Sequence, residues 1–201
     1  MLFERLGFKR VRLLLIAYSL CLLSCNSKNS SQGVIPDLSQ SDSIQISDEW
    51  TGLSRVAPIE ANYSLARSGE GFSGEAKFSV AGYSKQTELT ASEAIVIPSA
   101  AAETFLKALS SLTLKEGKYE PKIEHTDDYP STSIELKLKG DTIRIFTKSQ
   151  GAGHAPWGVE FKGKTYTVES DVPAKALQGL EPYLKRDVLQ RLIEQKKSEA
   201  E

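Results

Sequence analysis

Hydrophobic and polar residues alternate along much of the chain after residue 60, and this pattern predicts β-strands joined as hairpins. The segments 63–67 and 76–80 alternate in this way, and the residues between them are typical of a turn. Residues 94–97 predict a third strand. Two further hairpins are predicted at 134–145 and at 159–168, with a glycine at each turn.

Helical spacing of hydrophobic residues occurs later in the chain. Four such residues between positions 102 and 112 predict a helix over 99–112, with Ser99 as its N-cap. The apolar positions between 184 and 193 predict a C-terminal helix, preceded by a short helix that begins at Asp171. Because strands and helices occur in blocks, the predicted class is α+β, with a mostly antiparallel sheet built from hairpins, one central helix and C-terminal helices.

The N-terminal segment has the layout of a secretory signal. Basic residues at positions 5–12 precede an apolar run at 13–23, which is shorter than the roughly 20 residues that a membrane-spanning helix needs. The sequence Leu-Leu-Ser-Cys at 22–25 resembles the lipobox of bacterial lipoproteins. That resemblance implies a signal peptide at 1–24, cleaved before Cys25, and a lipid on the Cys25 thiol. Cleavage without lipidation, which gives a free secreted protein, is the alternative.

The segment after the lipobox is rich in serine and has no aromatic residue before Trp50. Such a stretch buries too little apolar surface to offset the entropy of ordering it, so 25–47 is expected to be a lipid-bearing tether. Residues 48–201 are then expected to form a single α+β domain. The lipoprotein resemblance implies an outer-membrane location facing the periplasm, since Asn26 is not the aspartate that favours retention in the inner membrane.

Charge narrows the choice of partners. The 201 residues include 25 Lys and Arg against 26 Asp and Glu, which gives a formal net charge of −1. Because no basic excess is present to neutralise phosphates, nucleic acid is not expected as a partner. The expected partners are the membrane, through the lipid on Cys25, and an envelope protein.

One segment matches a nucleotide-binding pattern. Residues 158–165, from Gly158 to Thr165, fit G-x-x-x-x-G-K-T, a loop that in nucleotide-binding proteins leads from a strand into a helix. Here the residues after Thr165 favour a strand, and no strand is predicted before Gly158. We therefore expect a hairpin that turns at Lys162-Gly163, and no bound nucleotide.

Two polar segments hold the candidate ligand or partner surface. The first is a turn-forming stretch and the second is the glycine-rich loop 151–157. The candidate residues are His125, Asp127, Asp128, Tyr129, His154 and Trp157. For Trp157 a second interpretation stays open, in which the ring covers the hydrophobic core. For the first segment, an Asp-rich turn is favoured over a metal site.

The order of elements from about residue 60 to 146 resembles small bacterial envelope domains of unknown function. A Tyr-x-Leu strand at 63–65, a glycine-rich turn at 69–74, the helix over 99–112 and a Thr-Asp-x-x-Pro-x-Thr turn at 126–132 carry this resemblance. It implies no activity and no catalytic residue.

The resulting hypothesis is a lipid-anchored envelope protein with a non-enzymatic binding or adaptor domain, for which no catalytic residue, cofactor or metal is expected. The alternative is a metal-dependent or hydrolytic envelope enzyme that uses His125, His154 and Asp127 or Asp128. That enzyme requires the two histidines to lie within reach of each other in one cleft.

Overall fold

Ten β-strands in the described part of the chain form one antiparallel sheet, and α-helices accompany it, so the fold is α+β. The structure is a computed structural model and describes residues 32–51, 58–81, 88–121, 130–148 and 155–199. The strands are Gln32–Val34 (β1), Ser43–Trp50 (β2), Ile59–Ser68 (β3), Gly71–Val80 (β4), Leu89–Pro98 (β5), Thr113–Glu116 (β6), Ser131–Leu138 (β7), Asp141–Lys148 (β8), Trp157–Phe161 (β9) and Lys164–Val168 (β10). The helices are Ser99–Ser110 (α1), Val172–Leu180 (α2) and Arg186–Ser198 (α3), with short 3-10 helices at Leu38–Gln40 and Glu181–Tyr183.

Eight of the ten strands form two four-stranded meanders that meet in the middle of the sheet, and β6 and β1 extend one edge. The strand order is β1-β6-β10-β9-β8-β7-β2-β3-β4-β5, so β2–β5 and β7–β10 join at the β2–β7 pair. Each meander is followed by a helix, α1 after β5 and α2 after β10. The chain then crosses over, because β6 extends the second meander whereas α3 packs on β4 and β5 of the first.

One face of the sheet forms the hydrophobic core. A row of paired residues crosses its middle, and all of them are buried: Tyr63, Ile46, Ile134, Ile145 and Val159. Phe105 and Leu109 of α1 belong to the same core. Residues at alternate positions, such as Glu75 and Lys77, lie exposed on the opposite face.

The predicted hairpins are confirmed as the pairs β3–β4, β7–β8 and β9–β10, and the third predicted strand lies within the longer β5. In β9–β10, Lys162 and Gly163 both have positive φ angles of 51° and 72°, as a tight two-residue hairpin turn requires. Glu160 of β9 faces Thr165 of β10 in the ladder. The segment 158–165 therefore forms two strands and their turn, instead of the strand–loop–helix arrangement of a phosphate-binding loop.

The folded structure begins earlier than the composition predicts. β1, the first 3-10 helix and five of the eight residues of β2 precede Asp48, and β2 lies at the centre of the sheet. Leu38, Ile44 and Ile46 are fully buried. The prediction of a tether up to residue 47 is therefore wrong for residues 32–47. The serine content of this segment led to the wrong prediction, because polar residues there alternate with buried isoleucines. Such alternation is typical of a β-strand.

Two predictions about helices need correction. Pro98, not Ser99, is the N-cap residue of α1, and no side chain caps this helix; the Ser99 N–H instead donates to the carbonyl of Glu70 (3.0 Å). The arrangement with one central helix is also wrong, because the described α-helices all begin at or after Ser99, and α1 packs against α2. Periodicity predicts each helix by itself and contains no information about the element on which it packs.

None of the helices in the described ranges combines the length and hydrophobicity needed to cross a lipid bilayer. The predicted signal peptide, Cys25 and the start of the predicted tether lie outside the described residues.

Candidate functional site

Most residues of the predicted surface lie outside the described part of the chain: His125, Asp127, Asp128, Tyr129 and His154. Trp157 is described, and its side chain is completely buried at the start of β9. This position agrees with the second interpretation of Trp157, in which the ring belongs to the core. The ring nitrogen is buried and has no hydrogen-bond partner in the described structure.

The strand ends that lead into the two predicted segments are adjacent. Ser131, the first residue of β7, pairs with Lys148, the last residue of β8. Trp50 at the end of β2 pairs with Ile59 at the start of β3. Because β2 and β7 are neighbours, and β9 follows β8 in the sheet, we call this edge, marked by Trp50, Ile59, Ser131, Lys148 and Trp157, the loop end.

Between the hydrophobic row and the loop end, three neighbouring core-facing positions are polar. Asp48 pairs with Ala61 on one side and with Thr132 on the other, and Thr132 pairs with Thr147. These residues lie two positions along their strands from the hydrophobic row of Ile46 and its partners, so their side chains point to the same face. We call Asp48, Thr132 and Thr147 the polar row.

Asp48 binds two partners with its two carboxylate oxygens. The Thr132 hydroxyl donates to Asp48 Oδ1 (2.7 Å), and Arg186 Nη2 at the start of α3 donates to Asp48 Oδ2 (2.6 Å). Arg186 Nε also lies 2.8 Å from Glu181 Oε2, although without the angles of a hydrogen bond. The side chains of Asp48 and Arg186 retain only 18% and 34% of their exposure. Arg186 thus links both carboxylates at the edge of the core.

Electrostatics keep this arginine charged despite its burial. Burial by itself lowers the pKa of Arg186, but the neighbouring charge of Asp48 raises it, with smaller contributions from Tyr63 and Glu181, and the net result is a pKa above the usual value. We refer to Asp48, Thr132, Glu181 and Arg186 as the Asp48–Arg186 cluster.

Tyr63 adds an unused polar group beside this cluster. Its side chain is 1% exposed, and its ring packs edge-on against Phe78, with centroids 5.9 Å apart. The hydroxyl is buried and has no hydrogen-bond partner in the described ranges. Burial raises the pKa of Tyr63 to about 12, and the charges of Arg186, which opposes this rise, and of Asp48 act on the same hydroxyl. The phenol therefore stays protonated at neutral pH.

The backbone before Arg186 is in an unfavourable conformation. Lys185, the N-cap residue of α3, has φ 51° and ψ 36°, the left-handed region that costs a non-glycine residue about 1 kcal/mol or more. The preceding residue, Leu184, is fully buried. The turn at Lys185 thus leads from a core residue directly to the arginine that binds Asp48.

A cavity of about 360 Å³ opens beside the cluster at the loop end. Asp48, Glu49, Glu181 and Arg186 line it, so its carboxylates outnumber its guanidinium. Its less polar walls include Trp50, Ile59, Pro130 and Leu189. The cavity volume falls within the range of about 300–1,000 Å³ that is typical of small-ligand sites.

A second, larger groove of about 490 Å³ lies between α1 and α2. Small residues such as Ala101, Ala108 and Gly179 line it, and Lys175 is exposed beside them. No buried charged group of the described structure faces this groove, so we do not regard it as the candidate site.

The Asp48–Arg186 cluster was not predicted from the sequence, although one part of it has a recognisable sequence pattern. Positions 44, 46 and 48 share one strand face, and an aspartate at the third of them interrupts a buried isoleucine pattern. Arg186 is 138 residues away, and no local pattern joins it to Asp48. In the described residues, no three His, Cys, Asp or Glu side chains come together as metal ligands.

Comparison of the chain with protein families, with characterised proteins and with solved structures found no match.

Proposed function

We propose that this chain is a lipid-anchored protein of the bacterial envelope, which faces the periplasm from the outer membrane and acts as a binding or adaptor domain. The lipobox ending at Cys25 supports the anchor. The cavity beside the Asp48–Arg186 cluster supports the binding function, and this observation carries the proposal.

An ion pair at the edge of a core is rarely the most stable choice, because desolvation offsets its attraction and hydrophobic residues of similar size are often as good or better. The cluster adds a strained Lys185 and an unpartnered Tyr63 hydroxyl at the same place. Charged side chains that do not improve stability and that line a cavity, as Asp48, Glu181 and Arg186 do, are best explained by what the cavity binds.

The predicted partner surface belongs to the same region in this proposal. Pro130 and Ser131 line the cavity and directly follow, in the sequence, the predicted turn that contains His125 and Tyr129. The segment with His154 starts from Lys148, which pairs with Ser131. A ligand or partner in the cavity is therefore expected to contact both segments.

Photo-crosslinking in the native envelope tests the binding function. A photoreactive residue at position 50 lies in the cavity wall, and the matched control at Lys77 lies exposed on the opposite face of the sheet. We expect a discrete adduct from position 50 and none from position 77. The absence of an adduct at position 50, or the same adduct at both positions, would overturn the proposal.

The anchor is tested separately by Cys25→Ser. Without the thiol no lipid can be attached, so the variant should leave the membrane fraction and lose the mass of the lipid. A variant that remains in the membrane fraction with an unchanged mass would contradict the lipoprotein assignment.

The adjacent strand ends at Ser131 and Lys148 are the observation in favour of the alternative enzyme with His125 and His154. Zinc titration of the purified domain distinguishes the two functions. Stoichiometric binding that the double variant His125→Ala/His154→Ala abolishes would support the enzyme, whereas unchanged weak binding in both proteins would support the binding domain.

A further inference from the structure

The charges around the cavity select the kind of ligand, if the proposed binding function holds. Asp48, Glu49 and Glu181 line the cavity against a single Arg186, so the lining carries an excess of two negative charges. Arg186 is already bound by Asp48 and lies against Glu181. An anionic ligand would find the guanidinium occupied and would be repelled by the carboxylates.

Glu181 offers a free acceptor for a cation. Its Oε2 faces Arg186, whereas no residue in the described ranges bonds to its other oxygen, Oε1. The side chain is 42% exposed, so a ligand can reach it without unfolding the cluster. A hydrogen bond between this carboxylate and an ammonium group would be charge-assisted and therefore stronger than a neutral one.

A further polar group, the Tyr63 hydroxyl, lies near the cluster, although Tyr63 is not among the residues that line the cavity. The Tyr63 hydroxyl is almost completely buried, is unpartnered, and lies close enough to the cluster for the charges of Asp48, Glu181 and Arg186 to act on it. A buried hydroxyl without a partner is costly, and it provides the cluster with a hydrogen-bonding capacity that the described chain leaves unused.

The walls of the cavity suit a hydrocarbon stem. Trp50, Ile59 and Leu189 provide apolar surface next to the charged groups. An indole ring also attracts cations through its negative face.

We infer that the cavity binds a primary ammonium group carried on a short alkyl stem, either as a free amine or as a lysine side chain of a partner protein. Glu181 accepts from the ammonium group, and Trp50, Ile59 and Leu189 contact the stem. This inference depends on the proposed binding function.

Three probes of the same size and different charge test it: n-butylamine, n-butyrate and n-butanol. The chain has two tryptophans, of which Trp157 is buried in the core and Trp50 lines the cavity, so fluorescence reports on the site. Butylamine should give a saturable fluorescence change that Trp50→Phe removes, and added salt should weaken it. If butyrate or butanol binds as tightly as butylamine, the inference is overturned.

Glu181→Gln provides the decisive variant. It keeps the shape of the side chain and removes its charge, so butylamine should bind about tenfold more weakly. The matched control is Glu75→Gln, since Glu75 is 49% exposed and pairs with Lys77 (3.2 Å) away from the cavity. Both variants remove exposed charges, and equal thermal unfolding will show that both are folded. Equal affinity of the two variants for butylamine would refute the role of Glu181.

The source of the ammonium group is identified by comparing butylamine with N-acetyl-lysine-N-methylamide. Tighter binding of the lysine derivative indicates a partner side chain, and its exclusion indicates a free amine. Failure of every amine together with a specific crosslink at position 50 would overturn the cation inference alone. Absence of that crosslink would overturn the proposed binding function itself, on which the cation inference depends.

Discussion

Two neighbouring rows of the same sheet face contrast sharply in chemistry. In the middle of the sheet, Ile46, Ile134 and Ile145 form a continuous hydrophobic row. Two positions along the same strands, Asp48, Thr132 and Thr147 form the polar row. Backbone pairing continues unchanged through both rows, so the difference comes from side chains alone.

The polar row satisfies its polar groups differently at its two ends. Thr147 donates to the carbonyl of Pro156 (3.3 Å), the residue directly before β9, and thereby holds Pro156 against the sheet. Asp48 instead accepts a hydrogen bond from Arg186 of α3. The polar row therefore has a structural side, near Thr147, and a side next to the cavity, near Asp48, where bonding groups remain unused.

The largest effect is expected in the hydrophobic row. Ile134→Ala should destabilise the protein by about 3 kcal/mol, because it removes buried methylene groups and leaves a cavity. Thr132→Val, two residues away on the same strand, should cost only about 1 kcal/mol for its lost hydrogen bond to Asp48. Urea unfolding of both variants measures the contrast. Equal losses would show that the polar row contributes to the core as the hydrophobic row does.

The contrast also separates what a sequence can predict from what it cannot. The β7–β8 hairpin was predictable because alternation and a turn glycine, Gly140 with φ 84°, are local properties. β2 was missed because the serine content of its surroundings concealed the alternation of Ile44 and Ile46. Composition averages over positions, whereas a strand depends on which positions are apolar.

Charged residues show the limit most clearly. Lys196 lies in the last turn of α3, where a lysine complements the helix dipole. It is only 1% exposed, and its ammonium lies 3.1 Å from Glu199. The pairing of Asp48 with Arg186 joins residues 138 positions apart. Such contacts depend on how α3 packs on the sheet, which no local pattern specifies.

A smaller effect is expected from breaking the Asp48–Arg186 cluster. Arg186→Met leaves Asp48 unpaired and should cost about 2 kcal/mol, less than a fully buried pair because Arg186 is partly exposed. The double variant Asp48→Leu/Arg186→Met removes both charges and should recover most of that loss. Urea unfolding of the three proteins measures this difference.

The double variant also separates stability from binding. This protein should be folded and stable and should still bind butylamine, because it loses one negative and one positive charge while Glu181 and the excess of two carboxylates remain in the cavity lining. A double variant as unstable as Arg186→Met would show that the cluster is needed for the fold itself, and the contrast between the two rows would then lose its functional meaning.

The smallest effect concerns Tyr63, which belongs to the hydrophobic row but directs its hydroxyl toward the cluster. Its pKa is raised to about 12 in the folded protein, against about 10 in the unfolded chain. Below pH 10 both states hold the phenolic proton. As the pH rises from 10 towards 12, the unfolded chain releases it first, so the folded state loses stability in this window.

Tyr63→Phe isolates that loss from the other groups that titrate at alkaline pH. The variant should be as stable as the native protein at pH 8, or slightly more stable, because it removes a buried hydroxyl without a partner. Between pH 10 and 11 the native protein should lose about 1 kcal/mol more than the variant. Arg186, Asp48 and Glu181, the charges that act on this hydroxyl, are present in both proteins, so the difference reports Tyr63 alone. Parallel pH profiles would mean that solvent reaches the hydroxyl, and Tyr63 would then belong to the cavity surface instead of the core.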